Sequence, residues 1–202
     1  MPPPAEAGVA ALVLAAGASV RLGRPKQLLP YRGGVLLDAA LDTARESSVD
    51  QIVLALGGSA GEVVRAVDTS LCDVVLNPHF GEGCSSSIAA ALPAVRPDIG
   101  VLVLLLADEP GVGADTVRHL LGGRGDSLIA VCRYDDGIGH PFAFARPVFA
   151  DLAALHGDKG VWKLIERQAA DVREVRVAGR IPLDVDTEED YRHLLAELEG
   201  AR

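Results

Sequence analysis

Short apolar runs alternate along this chain with segments in which apolar residues recur at helical spacing. Runs of this length, rich in valine, isoleucine and leucine, are typical of buried strands. Strands that alternate with helices predict an α/β fold, here a single doubly wound, mostly parallel sheet with right-handed crossovers and helices on both faces. The predicted strands cover residues 9–14, 51–56, 73–76, 101–106, 127–133 and 173–177.

The segments between these strands predict the helices. Ser59 followed three residues later by Glu62 is the pattern of a capping box and indicates where the second helix begins. With 202 residues, 49% hydrophobic and only 4% aromatic, the chain is expected to form one domain, 1–202, around an aliphatic core, with 1–7 as a flexible N-terminus. The predicted helices cover residues 35–45, 60–67, 85–92, 115–121 and 147–156, and an acidic segment that starts at residue 188.

Charge and cysteine usage argue against several classes of function. The formal net charge is -9, and basic clusters interleaved with aromatic residues are missing from the sequence, so a nucleic-acid partner is not expected. The three cysteines are widely spaced, which indicates neither a disulfide framework nor a zinc site. The N-terminal residues lack the features of a signal peptide, and Gly17 ends the first apolar run too early for a membrane span. We therefore expect a cytoplasmic protein with no membrane partner.

The segment after the first predicted strand combines small residues with cations. The small residues, which run from position 15 to position 19, leave backbone N–H groups uncovered, so a phosphate or a flat base can approach the main chain. Arg21, Arg24 and Lys26 follow, and no Asp or Glu occurs between Ala7 and Leu37. A positive segment within an acidic protein indicates a polyanion site. The alternative is a basic surface loop with no ligand.

The segment after the third predicted strand, residues 77–87, contains two glycines and three serines. It again provides uncovered donors at the expected N-terminus of a helix. The alternative is a helix that is simply capped by serine.

Aspartates follow the central run and precede the last helix. Asp108 comes at the carboxyl end of the predicted central strand, the edge at which open α/β sheets bind ligands, and its carboxylate suits one position of a Mg²⁺ site. Asp184 and Asp186 are two apart on an extended segment and point the same way, which is costly unless a cation lies between them or one is protonated. The alternatives are capping roles, for Asp108 in the next segment and for Asp186 at the last helix.

Three sequence elements together resemble a known family. The resemblance spans residues 9–195, and the elements are Ala-Ala-Gly-x-Ser-x-Arg from residue 15, Asp-x-Pro from residue 108 and Asp-x-Asp-Thr from residue 184. In this order they resemble the nucleotidyltransferases related to molybdenum cofactor cytidylyltransferase and the molybdopterin guanylyltransferases. The resemblance implies a Rossmann-like fold of the nucleotide-diphospho-sugar transferase type. Ala16, rather than a second glycine, is more similar to the cytidylyl branch.

The resemblance implies roles for individual residues. Arg21 and Lys26 would neutralise the departing pyrophosphate, while Asp108 and Asp186 would hold Mg²⁺. Residues implied to bind the nucleotide are Ala15, Ala16, Gly17 and Ser19 in the first loop, and Asn77, Gly83 and Ser85 on the side of the base.

The acceptor side is where the sequence departs from the family. His140 lies in a Gly-His-Pro element that is similar to an acceptor-side element of the family, and it either orients the acceptor phosphate or simply hydrogen-bonds a turn. The resemblance places Asp158 and Gly160 on the same side. Val161 and Trp162 stand where Ala-Arg is usual. Because tryptophan cannot fork onto a phosphate, the acceptor is in question, and Lys159 or Lys163 is a candidate for the missing charge. Trp162 either stacks on a flat ring or packs within the protein.

The sequence therefore predicts Mg²⁺-dependent nucleotidyl transfer from a nucleoside triphosphate, with CTP favoured, to a phosphorylated acceptor such as molybdopterin or molybdenum cofactor, with release of pyrophosphate. The resemblance makes a molybdoenzyme or its chaperone a candidate partner. Two alternatives remain: an NAD(P)H-dependent reductase of a planar substrate on the same fold, and a nucleotide-binding regulator without turnover.

Overall fold

The computed structural model of the protein describes residues 8–200, so the predicted flexible segment 1–7 lies outside the described residues. The strands are β1 (Gly8–Ala15), β2 (Pro30–Tyr31), β3 (Gly34–Val35), β4 (Gln51–Leu56), β5 (Asp73–Leu76), β6 (Ile99–Leu106), β7 (Ile129–Arg133), β8 (Ile138–Ala145) and β9 (Val172–Arg176). The α-helices are α1 (Leu36–Glu46), α2 (Ala60–Ala66), α3 (Cys84–Ala91), α4 (Ala114–Arg124), α5 (Phe149–Ala153), α6 (Gly160–Arg167) and α7 (Glu188–Gly200).

Within residues 8–200, one seven-stranded sheet has the order β5-β4-β1-β6-β8-β7-β9, and β2 pairs with β3 in a separate hairpin. Strands β5, β4, β1 and β6 are mutually parallel, β8 is antiparallel to both its neighbours, and β9 is parallel to β7. The predicted doubly wound, mostly parallel sheet is confirmed. The four parallel strands end at one edge, so the loops that follow β1, β4, β5 and β6 meet there.

Helices cover both faces of this sheet because successive residues of each strand point to opposite faces. Ala11 and Val13 of β1 join one buried cluster, which includes residues of α1, α2 and α4. Ala10 and Leu12 of the same strand join a second cluster with residues of α3, α5 and α6. Burial of a leucine such as Leu12, which is fully inaccessible, stabilises the fold by about 1.5–3 kcal/mol.

The last helix is attached to the loop that follows β1 rather than to the sheet. Tyr191 and Leu194 of α7 pack with Leu22 and Leu29 in a third cluster, and the Tyr191 hydroxyl donates to the Pro30 carbonyl at 2.6 Å. Val185, which precedes α7 and is buried, donates its backbone N–H to the Asp108 carbonyl at 2.9 Å. This packing brings the C-terminal aspartates to the end of β6.

The sequence did not predict three of the strands: β2 and β3, which form the short hairpin, and β8. Residues 138–145 form β8, and the sequence analysis assigned no strand to them. Glycine and proline conceal the strand pattern in its first half, while Phe142 and Phe144, which alternate in its second half, are fully buried. The strand is specified by tertiary contacts with β6 and β7 on either side of it.

Two local predictions about helices were wrong. The helix α2 begins after Ser59 as expected, but the Ser59 side chain makes no capping bond, and Glu62 N–H is instead accepted by the Ser59 carbonyl at 3.0 Å. The predicted helix at 147–156 is a short α-helix, α5, preceded by a 3₁₀ turn at Arg146–Val148. Across residues 8–200, none of the helices has the length and apolar character that crossing a membrane requires.

Candidate active site

A cleft of about 640 Å³ opens at the edge where the parallel strands end. The loop after β1 forms one wall, and the other is formed by Phe80, Gly81, Gly83 and Cys84. Acidic side chains from the end of β6 and from the segment before α7 close its floor. The predicted site residues that line the cleft are Ala15, Ala16, Gly17, Arg21, Lys26, Gly83, Asp108, Asp158 and Asp186.

Three aspartates converge in this cleft. Asp108, Asp184 and Asp186 each place a carboxylate oxygen within 4.8 Å of the others. Lys26 Nζ lies among them and donates hydrogen bonds to Asp108 and, at 2.7 Å, to Asp186. Arg21 forms a second ion pair with Asp186. The residues that the sequence assigned to the phosphates and those that it assigned to the metal are therefore in direct contact.

The protonation of the cluster follows from its packing and its charges. Desolvation, followed by repulsion from Asp108, raises the pKa of Asp184 to about 7. Burial acts to raise the pKa of Asp186, but hydrogen bonds and charges from Lys26 and Arg21 outweigh it and the pKa is lowered. Burial acts against charge on Lys26 as well, yet Asp108 and the two hydrogen bonds raise its pKa above the usual range. The cluster is a set of acidic oxygens that already holds one cation, the Lys26 ammonium group.

Specific hydrogen bonds fix the conformation of the loop after β1. Gln27, which is buried, donates from Nε2 to the carbonyls of Ala15 at 2.7 Å and Gly17 at 3.1 Å. Ser19 has a positive φ of 52°, and its hydroxyl accepts the backbone N–H of Lys26 at 2.9 Å. Ser19 thus shapes the loop, and Gln27 is a loop-bracing residue that the sequence analysis did not identify.

The predicted base-side residues separate into two groups. Gly83 lines the cleft, whereas Asn77 and Ser85 are buried at 3% and 1% exposure and do not line it. Asn77 donates to Ser86 at 2.9 Å and to Ser87 at 3.0 Å. Ser85 donates to the Gly157 carbonyl at 2.6 Å. Their side chains therefore hold the loop together, and a role on the side of the base stays a prediction for the loop that they shape.

Phe80 is a cleft residue that the sequence analysis missed. Its ring packs directly on the backbone turn after β4, where a Cβ at Gly58 would lie only 2.8 Å from the ring. The two consecutive glycines in the turn, Gly57 and Gly58, are a sequence signal for such a close approach. Phe80 gives the cleft an apolar wall opposite the loop that follows β1.

The predicted base-side and acceptor-side loops pack against each other. Asp158 Oδ1 accepts the Cys84 backbone N–H at 3.1 Å. A Cβ at Gly83, where φ is +98°, would lie 2.7 Å from the Gly157 carbonyl carbon, so this contact requires glycine. Gly160 is buried against Ser85 in the same way. Lys159 and Lys163, the two candidates for a missing acceptor-side charge, are exposed and line neither the cleft nor the pocket beside it.

A side pocket of about 400 Å³ adjoins the cleft and shares Asp158 and Asp184 with it. His140 lines this pocket, and its Nδ1 lies 3.0 Å from Glu109 Oε1. Trp162 packs edge-on against Phe142, with ring centroids 5.2 Å apart, and remains 36% exposed at the pocket. Trp162 therefore packs within the protein through its contact with Phe142, and it also presents part of its ring to the pocket, as stacking on a flat ring would require. Glu109 was not identified from the sequence.

The comparison with protein families decides the class of this site. Residues 11–172 match the model of the MobA-like NTP transferase domain. The chain belongs to the MobA-like NTP transferase family. The chain is accordingly a nucleotidyltransferase in fold and in class.

Two curated relatives of this MobA-like NTP transferase carry different names. A protein of Paenarthrobacter nicotinovorans, named nicotine blue oxidoreductase, is 34% identical over 163 residues, which cover 75% of this chain and 78% of that protein. The molybdenum cofactor cytidylyltransferase of Escherichia coli K12 is 28% identical over 186 residues, which cover 89% of this chain and 92% of that enzyme.

A solved structure that is similar to this MobA-like NTP transferase contains a metal. Rv0371c of Mycobacterium tuberculosis H37Rv, in complex with manganese, is 48% identical, with a TM-score of 0.85 and coverage of 94% of this chain and 98% of that one. The resemblance in sequence to this family is confirmed by all of these comparisons.

Proposed function

We propose that this nucleotidyltransferase transfers CMP from CTP to a phosphorylated acceptor of the molybdopterin class and releases pyrophosphate. The observation that carries the proposal is the contact of Lys26 with Asp108 and Asp186, because it joins a phosphate-binding cation to a set of metal ligands within one cleft. Ala16 in the first loop and the relative named molybdenum cofactor cytidylyltransferase support CTP and the acceptor class. The product would pass to a molybdoenzyme or its chaperone.

The acidic cluster fits a divalent cation, and we propose Mg²⁺. Carboxylate oxygens are the ligands that Mg²⁺ and Mn²⁺ prefer, and here the Lys26 ammonium group already lies where positive charge is favoured. A cation held by Asp108 and Asp186 would neutralise phosphate charge and orient donor and acceptor. The manganese complex of the relative with 48% identity supports a divalent metal in a protein of this type.

The residues of the chain bind and polarise the triphosphate. The backbone of the loop after β1 faces the cleft, and Arg21 and Lys26 extend from the same loop. An oxygen of the acceptor phosphate attacks the α-phosphorus as the bond to the bridging oxygen of the β-phosphate breaks. Arg21 and Lys26 stabilise the charge that collects on the departing pyrophosphate. The reaction requires no covalent intermediate on a side chain.

One comparison favours a second candidate. The relative named nicotine blue oxidoreductase is 34% identical, and the mostly apolar side pocket with Trp162 suits a planar substrate. An NAD(P)H-dependent reductase on this fold is therefore the alternative to transfer.

A thermal-shift panel separates these functions. A ligand that binds only the native state raises the apparent stability, by about 2.7 kcal/mol at a concentration of 100 times Kd. We expect CTP to raise Tm in the presence of Mg²⁺ and to have little effect without it, with smaller shifts for GTP, ATP and UTP. A shift with NADPH alone, independent of Mg²⁺, would contradict the proposal and favour the reductase. Binding of CTP without any turnover would identify a regulator instead.

A further inference from the structure

The side pocket, whose wall is mostly apolar, contains a largely buried polar pair, Glu109 and His140. Glu109 is only 7% exposed, and its Oε1 lies 3.0 Å from Nδ1 of His140. The other carboxylate oxygen, Oε2, is buried and accepts no hydrogen bond from the described residues. Burial of a carboxylate with so few partners is costly, so the pair calls for an explanation beyond packing.

The pair fixes which nitrogen of His140 carries the proton. A carboxylate only accepts hydrogen bonds, so the proton of this contact lies on Nδ1. In the neutral ring Nε2 is then an acceptor, and among the described residues it has no hydrogen-bond partner. Since the ring lines the pocket, a hydrogen-bond acceptor of defined orientation is available to an occupant.

The Trp162 ring, which lines the pocket beside this acceptor, favours a flat occupant. The His140 ring lies 6.4 Å from the Trp162 ring, measured between centroids, and packs at 4.3 Å on Phe142, which is fully buried behind the pocket. Apolar side chains of the pocket wall are Leu104, Leu106, Ile138, Val161 and Ile181. Asp184 belongs both to the pocket and to the acidic cluster, so a group bound here lies beside the reacting phosphates.

We propose that the side pocket binds a planar heteroaromatic ring that donates an N–H group to His140 Nε2, and that Glu109 is the positioning residue that sets this acceptor. The inference rests on the proposed function in one respect, which is that the ring belongs to the acceptor of the transfer reaction. Glu109 then contributes to acceptor selection without touching the phosphates.

The sole tryptophan of the chain, Trp162, provides a direct measurement because it lines the pocket. We expect pterin-6-carboxylate, without nucleotide, to quench its fluorescence saturably. Quinoline-6-carboxylate, a flat ring of similar size without an N–H donor, should bind at least about fivefold more weakly, as one hydrogen bond is lost. Glu109→Gln should weaken pterin binding about five- to tenfold, because the hydrogen bond between residue 109 and His140 Nδ1 is then no longer charge-assisted.

Matched variants distinguish a positioning role of Glu109 from a purely structural role. Glu82→Gln alters a second carboxylate that lies 3.0 Å from a histidine Nδ1, but that pair is exposed and lines neither the cleft nor the side pocket, so pterin affinity should not change. Nitrogen-15 NMR of the neutral His140 ring should show the proton on Nδ1 in the wild type and a shift towards Nε2 in Glu109→Gln. His140→Phe, which keeps a ring of similar size, should abolish the preference for pterin over quinoline.

Absence of saturable quenching by pterin-6-carboxylate would overturn the ring subsite. Unchanged pterin affinity and an unchanged tautomer in Glu109→Gln would overturn the positioning role. If Glu109→Gln fails to fold, equal affinities for pterin and quinoline in the wild type would overturn the donor contact. Because no nucleotide is present, these results are independent of whether the protein transfers CMP, which pyrophosphate release measures separately.

Discussion

Substitution of Asp108 by Asn is expected to lower metal-dependent turnover about 10²- to 10³-fold, the loss found when a charge-stabilising group is removed from a preorganised site. Asp108 lies at the end of β6, and its side chain is only 17% exposed, so solvent cannot replace its charge. Asparagine has nearly the same size and keeps the packing. The measurements are pyrophosphate release and the affinity for Mn²⁺, and both should fall together.

Asp115→Asn is the matched control for this variant. Asp115 lies in the first turn of α4, its side chain is almost fully exposed, and the same charge is lost. Turnover should be unaffected. Near-normal turnover and metal affinity in Asp108→Asn would show that Asp108 is not a metal ligand.

Substitution of Lys26 by Met is expected to lower turnover by about 10²-fold, since one cation that stabilises the leaving pyrophosphate is removed. It should also destabilise the metal-free protein by about 3 kcal/mol, the lower end for a broken buried ion pair, because Asp108 and Asp186 retain some solvent contact. Mg²⁺ should then raise Tm more in the variant than in the wild type, as it no longer competes with the ammonium group. Thermal unfolding with and without Mg²⁺ provides the test.

Lys26→Arg is the control because it keeps the charge. It should retain most of the stability of the metal-free protein, whatever its effect on turnover. If Lys26→Met is as stable as the wild type, and Mg²⁺ affects both equally, then the ammonium group does not neutralise the acidic cluster.

The parallel half of the fold follows from local sequence because its strands are continuous apolar runs with helices between them. The antiparallel strand β8 does not, since Gly139 and Pro141 interrupt its pattern and only pairing with β6 and β7 makes it a strand. The position of the C-terminal segment does not follow from local sequence either. Its approach to Asp108 depends on the burial of Val185 and on the packing of α7 against the loop after β1.

The charged part of the candidate site was predictable from the sequence because Arg21 and Lys26 lie in a loop free of acidic residues, Asp108 follows the central strand, and Asp186 belongs to an Asp-x-Asp pair before the last helix. Their direct contact was not, since it requires segments 160 residues apart to meet. Asn77 and Ser85 were assigned to the side of the base by resemblance to the loop of the family, and burial of their side chains could not be predicted from that resemblance.

Glu109 and Phe80, in contrast, line the site but were not identified from the sequence. Nothing in their local sequence distinguishes them, and their significance comes from what they contact in the folded chain. The departure at Trp162 was visible in the sequence, but the pocket that it borders with His140 appears only in the structure.

The central claim is nucleotidyl transfer, and the most direct measurement is pyrophosphate released from CTP by the purified protein with Mg²⁺ and molybdopterin. The account predicts release that requires all three components, together with a product whose mass has increased by that of a CMP group. Asp108→Asn measured in parallel should reduce both signals. Absence of pyrophosphate with every nucleoside triphosphate, accompanied by oxidation of NADPH in the presence of a planar substrate, would contradict the account.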